Sequence, residues 1–481
     1  MIIDFSNRES RFITLDEIPE EYVSVIHNKS KNDVYYPTYH IAPPHGLLND
    51  PNGLVYHEGL HHIFYQWFPL GPVHGLKHWY HLSTKDFIQY TDHGVALKPD
   101  TSYDQHGCFS GGALSQDDHF IIYYTGNVKN EEGEFVQTQC IAHCDRHGIV
   151  QKKGPIIYPD LNLTTHNFRD PVPYQKDDEI YLFVGAENVD HEGTILLYKQ
   201  EIENVSLVRP LQLDVSNFGY MWECPSYFEL EGRGILLFAP QGAISEDPNE
   251  FNNVFSVVYL IGDHLNFDTG DFKHQRYVEM DKGFDFYAPQ VYQDEQGRQI
   301  LYGWLGNSKS AYPTDRNMWA HMLTIPRELS IKGRYLLQTP LAELKNLRHS
   351  SRQLQPKSEI HRRGFEIEGT LQETCRFSIV NTEGDSIEFY SNRETYTLNR
   401  SNMTELYATE YGTVRQAHRH YEMVQSIRIF VDASSIEIFV DEGMTVFTSR
   451  FFLTGEWTIE TEGITGVIHD LSPIQVKEVT E

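Results

Sequence analysis

The sequence has 481 residues, of which 40% are hydrophobic and 13% aromatic, and its 39 basic and 68 acidic residues give a formal net charge of -29. A chain of this length exceeds one ordinary hydrophobic core and predicts two domains or one large repeat architecture. The acidic surface repels phosphate backbones, which argues against a nucleic-acid partner. The moderate charged fraction, 22%, together with evenly spread apolar residues excludes a largely disordered chain.

The cysteines and the N-terminal segment both predict a cytoplasmic protein. An odd, sparse set of cysteines in a long chain does not look like a disulfide framework. The segment MIIDFSNRESRFITLDEIPEEY lacks the basic start and apolar core of a signal peptide. No stretch approaches the ~20 apolar residues that would span a bilayer, so no membrane partner is expected. The five cysteines are Cys108, Cys140, Cys144, Cys224 and Cys375.

Residues 1–35 form an N-terminal extension that contains most of the helical periodicity, and residues 36–345 consist of short strands such as HHIFYQWF, EIYLFVGA and GILLFAP. Polar residues recur close to strand beginnings at steps of 60, 60, 53 and 64 residues. A unit of that length fits one four-stranded blade, which favours a five-bladed β-propeller. Similar spacing also arises by chance in large β proteins. The recurring residues are Asp50, Ser110, Asp170, Glu223 and Tyr287.

The composition changes after the propeller region. The segment SSRQLQPKSEIHRR is typical of a linker, which we place at residues 346–357, and PLAELKNLRHS just before it is the one other helical segment. Segments such as FEIEGTL, SIEFYS and FVDASSIEIFVDEG then predict a β-sandwich over residues 358–481. The predicted fold class is all-β, a five-bladed β-propeller followed by a C-terminal β-sandwich.

Three motifs place an acid beside a proline. They are the run HGLLNDPNG at 45–53, the run NFRDP at 167–171 and the run MWECP at 221–225. Each motif alone is most simply a surface turn, because Asn, Asp, Gly and Pro are the common turn formers. Proline cannot donate to a strand ladder and so marks a strand start or an edge. Three such acids on successive repeat units would meet at the propeller axis.

A pair of carboxyl groups is what glycoside hydrolysis requires, one as nucleophile or base and one to protonate the leaving oxygen. Asp50, flanked by turn amides, is expected to stay ionised. Glu223 has apolar sequence neighbours, which favour its protonated form. Asp170 follows Arg169, whose positive charge would keep Asp170 ionised and suited to holding sugar hydroxyls.

The chain resembles glycoside hydrolase family 32, the family of invertases and fructanases. The family's Asn-Asp-Pro-Asn-Gly, Arg-Asp-Pro and Glu-Cys-Pro motifs stand in order at 49–53, 169–171 and 223–225. The resemblance spans about residues 36–345, and FVDASSIEIFVDEG resembles a strand pair of the family's C-terminal sandwich. Further matches are Tyr65-Gln66, Phe109-Ser110-Gly111, the run DFYAPQ at 285–290 and Gly303-Trp304.

The resemblance implies a site in the axial funnel of a five-bladed propeller. It implies Asp50 as the nucleophile, Glu223 as acid and then base, and Asp170 as a carboxylate that holds fructosyl hydroxyls and stabilises the transition state. Many members carry Trp-Met where this chain has Leu47-Leu48, so aromatic stacking is not expected from that position. The resemblance places further residues around the fructosyl unit: Asn49, Gln66, Phe109, Ser110, Arg169, Tyr287 and Trp304.

The segment QWFPLGPVHGLKHW at 66–79 resembles the bacterial branch that acts on sucrose and sucrose-6-phosphate. We therefore expect a small-molecule fructoside substrate, with the 6-phosphate favoured over plain sucrose. Lys77 and His78 are candidates for holding the phosphate, although ordinary rim residues would look the same, and Trp79 is counted with the substrate-binding residues.

Other functions stay open at this stage. They are an exo-fructanase acting on oligofructans, a transfructosylating enzyme, and a non-catalytic carbohydrate-binding protein on the same scaffold. A zinc site at Cys140, His143, Cys144 and His147 is disfavoured, because strand alternation sends His143 to the opposite face from the two cysteines. Cys224 lacks the histidine partner of a thiol nucleophile. We expect no metal and no cofactor, and a monomer or homodimer.

Overall fold

The computed structural model describes residues 2–145, 148–201, 204–215, 218–420 and 425–479. One α-helix, α1, covers Glu20–Lys31, with acidic residues in its first turn and lysines in its last, as the helix dipole favours. No helix among the described residues is long and apolar enough to cross a membrane. The described 3-10 helices are Glu9–Phe12, Leu15–Glu17, Pro313–Asn317, Ala342–Leu347, Thr409–Tyr411 and Asp441–Gly443.

Strands β1 to β23 build the first part of the molecule. They are β1 Gly46–His57, β2 Leu60–Phe68, β3 His78–Thr84, β4 Gln89–Leu97, β5 Cys108–Phe109, β6 Ala113–Ser115, β7 His119–Lys129, β8 Phe135–Asp145, β9 Val150–Ile157, β10 Thr164–Lys176, β11 Glu179–Asn188, β12 Gly193–Gln200, β13 Val205–Pro210, β14 Phe218–Leu230, β15 Arg233–Ala243, β16 Val258–Gly262, β17 Val278–Glu279, β18 Tyr287–Gln293, β19 Gln299–Leu305, β20 Trp319–Ala320, β21 Met322–Leu323, β22 Arg327–Lys332 and β23 Tyr335–Pro340.

Strands β24 to β33 build the second part, and β34 follows them at the end of the chain. They are β24 Arg348–Gln353, β25 Lys357–Glu359, β26 Phe365–Asn381, β27 Ser386–Ser391, β28 Thr395–Asn399, β29 Val414–His418, β30 Ser426–Val431, β31 Ser435–Val440, β32 Thr445–Arg450, β33 Trp457–Leu471 and β34 Gln475–Glu478.

The first part is a β-propeller. Consecutive strands form separate antiparallel sheets: β1 to β4, β5 to β9, β10 to β13, β14 to β17, and β18, β19, β22 and β23 with β21 beside β19. The innermost strands pack against one another in a closed ring, since β1 contacts β6 and β18, β10 contacts β6 and β14, and β14 contacts β18. The beginnings of strands that are distant in sequence therefore surround one axis.

The second part is a sandwich-like domain built from one curled sheet of β24 to β33, in which β26 pairs with β27, β30 and β33. Its core contains aromatic and branched residues such as Phe377, Ile438 and Phe447, which are almost completely buried. The prediction of a linker at residues 346–357 is corrected. These residues contain β24, whose backbone pairs with β33 and so belongs to the sandwich sheet. The predicted strand pair joined at Asp432 is confirmed as β30 and β31.

Buried charged residues join the two parts. His40 lies 2.9 Å from Asp432 through Nδ1 and 2.9 Å from Glu437 through Nε2. The guanidinium of Arg327 donates from Nη2 to Glu437 at 2.6 Å and to Thr448 at 2.7 Å. The last strand, β34, returns to the propeller and pairs in parallel with β4. The sandwich is thus held against the propeller by paired charges and by a strand.

Metal ligation finds no support in the part of the chain that is described, where no group of three or more His, Cys, Asp or Glu side chains could hold an ion. Cys140 and Cys144 are buried in β8 as free thiols, with His143 between them. His147 lies outside the described residues.

Candidate active site

The innermost strands bulge at the motifs. The register of β1 shifts between Leu48 and Pro51, and β10, β14 and β18 shift directly after Arg169, Glu223 and Tyr287. A bulge inserts an unpaired residue and turns the strand, which can aim a side chain away from the sheet. These strands therefore direct polar side chains towards the propeller axis.

Backbone strain accompanies three of these bulges. Asp170, Cys224 and Ala288 each precede a proline and each adopt a positive φ, of 66°, 49° and 44°. Non-glycine residues rarely occupy this left-handed region, and strain of this kind concentrates at functional sites. The same residue-proline step recurs in three sheets, so it reflects one structural device that opens the inner strands at the axis.

A cavity of about 460 Å³ opens at this end of the axis. Its volume lies in the range of ligand-binding clefts. Asp50, Asp170 and Glu223 all line it, although Asp50 and Glu223 are 173 positions apart in the chain. Most of the other predicted binding residues line the same cavity: Asn49, Gln66, Lys77, Phe109, Ser110, Arg169, Tyr287 and Trp304.

Asp50 sits in a ring of hydrogen bonds. Ser110 Oγ donates to Asp50 Oδ2 at 2.5 Å, and Asn49 Nδ2 donates to Asp50 Oδ1 at 3.1 Å. Gln66 closes the ring, because it accepts from Asn49 at 2.8 Å and donates to Ser110 at 2.5 Å. Burial raises the pKa of Asp50, the bond from Ser110 opposes that rise, and the charge of Glu223 adds to it. That Asp50 stays ionised remains a prediction, because these opposing effects give only the direction of the shift.

Lys77 supports this ring from behind. Its Nζ donates to Asn49 Oδ1 at 2.6 Å, which fixes the Asn49 amide with its nitrogen towards Asp50 and Gln66. Burial lowers the pKa of Lys77 to about 7, although the charge of Asp50 opposes that shift. Lys77 therefore contacts Asn49 directly and affects Asp50 through its charge.

Glu223 has polar surroundings, which corrects the expectation of an apolar setting. Arg169 donates to Glu223 Oε1 from Nε at 2.8 Å and lies 2.7 Å from it through Nη2. The other oxygen, Oε2, accepts from Gln241 Nε2 at 2.6 Å and from the hydroxyl of Tyr287 at 2.7 Å. Sequence neighbours were a poor guide because strand alternation turns them away from the cavity.

Asp170 contacts Cys224, and its pKa is raised. Its Oδ2 accepts from the backbone N–H of Cys224 at 3.0 Å, and the Cys224 thiol lies 3.5 Å from Asp170 Oδ2 and 3.8 Å from Asp50 Oδ2. Burial and then the charge of Glu223 raise the pKa of Asp170, against the lowering effect of Arg169. Arg169 thus favours the ionised form of Asp170 as expected, but its effect is outweighed, and its guanidinium hydrogen-bonds Glu223.

Two predicted binding residues do not line the cavity. The ring of Trp79 is completely buried, and its Nε1 donates to the backbone carbonyl of Phe109 at 3.0 Å. His78 Nδ1 donates to the carbonyl of Leu76 at 3.0 Å, and burial lowers the pKa of His78 to about 4. The prediction that Trp79 and His78 contact the substrate directly is corrected. Trp79 is hydrogen-bonded to the backbone of Phe109, and His78 is hydrogen-bonded to the backbone of Leu76.

Several cavity residues were not predicted from the sequence, and three of them contact predicted site residues. Gln241 binds Glu223, Gln137 Oε1 accepts from Arg169 Nη1 at 3.3 Å, and His74 lies beside Trp304 with ring centroids 5.9 Å apart. Gln241 pairs with Met221 across β14 and β15, two residues from the acid. Strand pairing was the available signal for Gln241, since a neighbour across the ladder shares the same face.

A cavity that gathers carboxyl groups with raised pKa values beside hydrogen-bond donors is suited to glycoside hydrolysis. The sequence comparisons agree. Residues 40–340 match the glycosyl hydrolases family 32 N-terminal domain, and residues 339–472 match the family 32 C-terminal domain. The chain belongs to glycosyl hydrolases family 32 and is a glycoside hydrolase.

Its relatives include a sucrose-6-phosphate hydrolase of Vibrio alginolyticus, 42% identical over 92% of both chains. Another is a sucrose-6-phosphate hydrolase of Staphylococcus xylosus, 36% identical over 92% of this chain and 93% of the relative. Among solved structures, the sucrose-6-phosphate hydrolase of Lactobacillus gasseri has a TM-score of 0.93 at 28% identity and covers 97% of this chain and 99% of its own. A Bombyx mori β-fructofuranosidase has a TM-score of 0.85 at 31% identity, covering 95% and 98%.

Proposed function

We propose that this chain hydrolyses the β-fructofuranosidic bond of sucrose-6-phosphate and, less efficiently, of sucrose, with retention of configuration. The observation that supports this proposal most strongly is the meeting of Asp50 and Glu223 at one cavity. The sucrose-6-phosphate hydrolases at 42% and 36% identity support the substrate class.

In the proposed mechanism, Glu223 protonates the glycosidic oxygen while a carboxylate oxygen of Asp50 attacks the anomeric carbon. The bond to the leaving group breaks, and a fructosyl ester of Asp50 forms. Glu223, now ionised, takes a proton from water, whose oxygen attacks the same carbon and releases fructose and free Asp50. Burial and the charge of Glu223 raise the pKa values of Asp50 and Asp170, and in the proposed mechanism Glu223 supplies the proton that the glycosidic oxygen receives.

The surrounding residues have proposed roles that follow from their contacts. Ser110 and Asn49 hold the Asp50 carboxylate for attack, and Tyr287 and Arg169 orient Glu223. Asp170 accepts fructosyl hydroxyls. The same subsite is lined by Gln66, Phe109 and Trp304. Trp79 positions Phe109 by donating a hydrogen bond from Nε1 to the backbone carbonyl of Phe109.

We also propose the finer organisation of the molecule. Five sheets between residues 46 and 340 among the described strands support a five-bladed propeller over residues 36–345. The extension is residues 1–35, and the sandwich runs from 346 because β24 pairs with β33. A cytoplasmic location is supported by five free thiols, which a reducing compartment preserves. Monomer and homodimer stay equal expectations.

Product analysis after incubation with sucrose, sucrose-6-phosphate and inulin tests the proposal. We expect fructose from both disaccharides, kcat/KM about tenfold or more higher for the 6-phosphate, and little fructose from inulin. Fructose release that is faster from inulin would favour the exo-fructanase, and chains of fructose in place of free fructose would favour transfructosylation. No product from any substrate would contradict the proposal. An Asp50→Asn preparation controls for contaminating activity.

A further inference from the structure

One wall of the active-site cavity carries polar atoms that are buried without a hydrogen-bond partner. They are Nε2 of His74, Oγ of Ser308 and Nε1 of Trp304, and all three residues line the cavity. Buried polar atoms normally have partners, because an unpaired one loses its hydration without compensation. Trp304 already belongs to the proposed fructosyl subsite, so His74 and Ser308 extend the polar wall to a further part of the substrate.

Two cations without a carboxylate partner flank this wall. The carbonyl of Arg11 accepts from the backbone N–H of Leu76 at 2.7 Å, next to Gly75 in the cavity lining. Arg11 Nε donates only to a backbone carbonyl, that of Phe5, at 3.0 Å. Lys309 directly follows Ser308. Among the residues that the structure describes, neither Arg11 nor Lys309 has an ion-pair partner, although acids outnumber bases 68 to 39.

The field of these cations reaches the polar wall. Burial lowers the pKa of His74 well below its ordinary value, and the positive charges of Lys77, Arg11 and Lys309 lower it further. His74 is therefore neutral at physiological pH and offers its ring nitrogen in a positive environment. Such a wall fits an anionic group, because buried polar atoms without a partner line it and the charges of Arg11 and Lys309 act on it.

The phosphate candidates taken from sequence do not fit this task. Lys77 Nζ already donates to Asn49, directly beside the acidic Asp50, where a phosphate would meet a carboxylate. His78 lies outside the cavity.

We propose that Arg11, His74, Ser308 and Lys309 form the subsite that binds the phosphate of a phosphorylated hexosyl leaving group. This inference rests on the proposed function. The N-terminal extension then contributes directly to specificity, because Arg11 precedes Phe12, whose ring lines the cavity and contacts those of His106 and Phe135.

Substitution of the two cations tests the subsite. We expect Arg11→Gln and Lys309→Gln each to lower kcat/KM for sucrose-6-phosphate by roughly tenfold, and the double variant by roughly a hundredfold, as the loss of a charge-assisted hydrogen bond predicts. For sucrose, kcat/KM should change by less than about threefold, since it carries no charge for these residues to bind. Lys129→Gln is the matched control, because it removes a cation that acts on His106 and has no ion-pair partner among the described residues, with the same change in net charge.

Inhibition of sucrose hydrolysis distinguishes a sugar phosphate from free phosphate. Glucose-6-phosphate should inhibit the wild-type enzyme more strongly than glucose or inorganic phosphate, and the double variant should lose that difference. Equal losses on both substrates, or an unchanged preference in the double variant, would overturn the subsite and leave the hydrolase intact. Equal kcat/KM of the wild-type enzyme for sucrose and sucrose-6-phosphate would also overturn the subsite and leave the hydrolase intact. A wild-type enzyme inactive on both would instead contradict the proposed function.

Discussion

Two groups of buried acids can be compared within this molecule. One is the active-site group of Asp50, Asp170 and Glu223, and the other is the pair Asp432 and Glu437 between the propeller and the sandwich. Asp170, Asp432 and Glu437 are buried and Asp50 is half-buried, yet the pKa values of Asp50 and Asp170 are raised and those of Asp432 and Glu437 are lowered. Burial therefore does not decide the direction of the shift.

The partners of each acid decide it. Burial raises the pKa of Asp432, but hydrogen bonds from His40 and from backbone amides outweigh it; for Glu437 the charge of Arg327 and the bond from His40 do so. The two acids in turn raise the pKa of His40 to about 9 against its burial. In the active site the guanidinium of Arg169 hydrogen-bonds Glu223, and repulsion from the other acids raises the pKa of Asp170.

This difference separates structural from catalytic charge. Asp432 and Glu437 each meet a cation at hydrogen-bond distance, which favours their ionised forms and ties the sandwich to the propeller. In the cavity, burial and the charge of Glu223 raise the pKa values of Asp50 and Asp170, and such crowding of acids is expected to cost folding stability. The comparison can be tested by changing one partner in each group.

The largest effect is expected at the active site. Asp50→Asn removes the proposed nucleophile and should lower kcat by about 10⁴-fold or more. Its thermal midpoint should stay equal or rise, because an amide relieves repulsion among the carboxyls. Steady-state kinetics and thermal unfolding of the same preparation measure both quantities. Near-normal turnover would remove Asp50 from the mechanism, and a strongly lowered midpoint would show that Asp50 is structural.

The next effect is expected at the domain interface. Arg327→Met should lower the free energy of unfolding by about 3–5 kcal/mol, because it leaves Glu437 buried beside one cation fewer. Urea-induced unfolding checks this value. Lys332→Met is the matched control: Lys332 pairs with Glu442 across the same interface, but the side chains are 48% and 34% exposed, so its loss is expected to be below about 1 kcal/mol. Equal losses in both variants would break the distinction between buried and exposed pairs.

The smallest effect is expected at Lys77. Its charge lowers the pKa of Asp50 slightly and is present mainly below pH 7, since its own pKa is about 7. Lys77→Met should therefore move the acid limb of kcat/KM to higher pH and reduce activity near pH 6 by less than about tenfold. Lys77→Arg should restore the limb, as it keeps the charge. An unchanged limb in Lys77→Met would confine Lys77 to packing.

The local pattern was sufficient for much of the fold. Alternating polarity with β-branched and aromatic residues predicted an all-β chain, and the strand pair around Asp432 formed as expected. The linker at 346–357 was predicted wrongly, because polar residues suit an edge strand such as β24 as well as a loop. Composition distinguishes these cases poorly when the pairing partner, β33, lies about a hundred residues away.

The members of the site were more predictable than their environments. The motifs identified Asp50, Asp170 and Glu223, and the cavity brings them together. The partner of Arg169 was missed, since sequence adjacency suggested Asp170 whereas the guanidinium reaches Glu223 on the next sheet. Gln241 was missed because its contact crosses the ladder between β14 and β15.

The sequence by itself determined the strands, the turn-forming acid motifs and the identity of the acids, because these depend on residue type and short-range spacing. Only the tertiary structure decided which charges meet, in which direction the pKa of each buried acid shifts, and which predicted residues reach the cavity. The physical reason is that pKa and binding depend on distances of a few ångströms between side chains, and closing the propeller sets those distances among residues far apart in the chain.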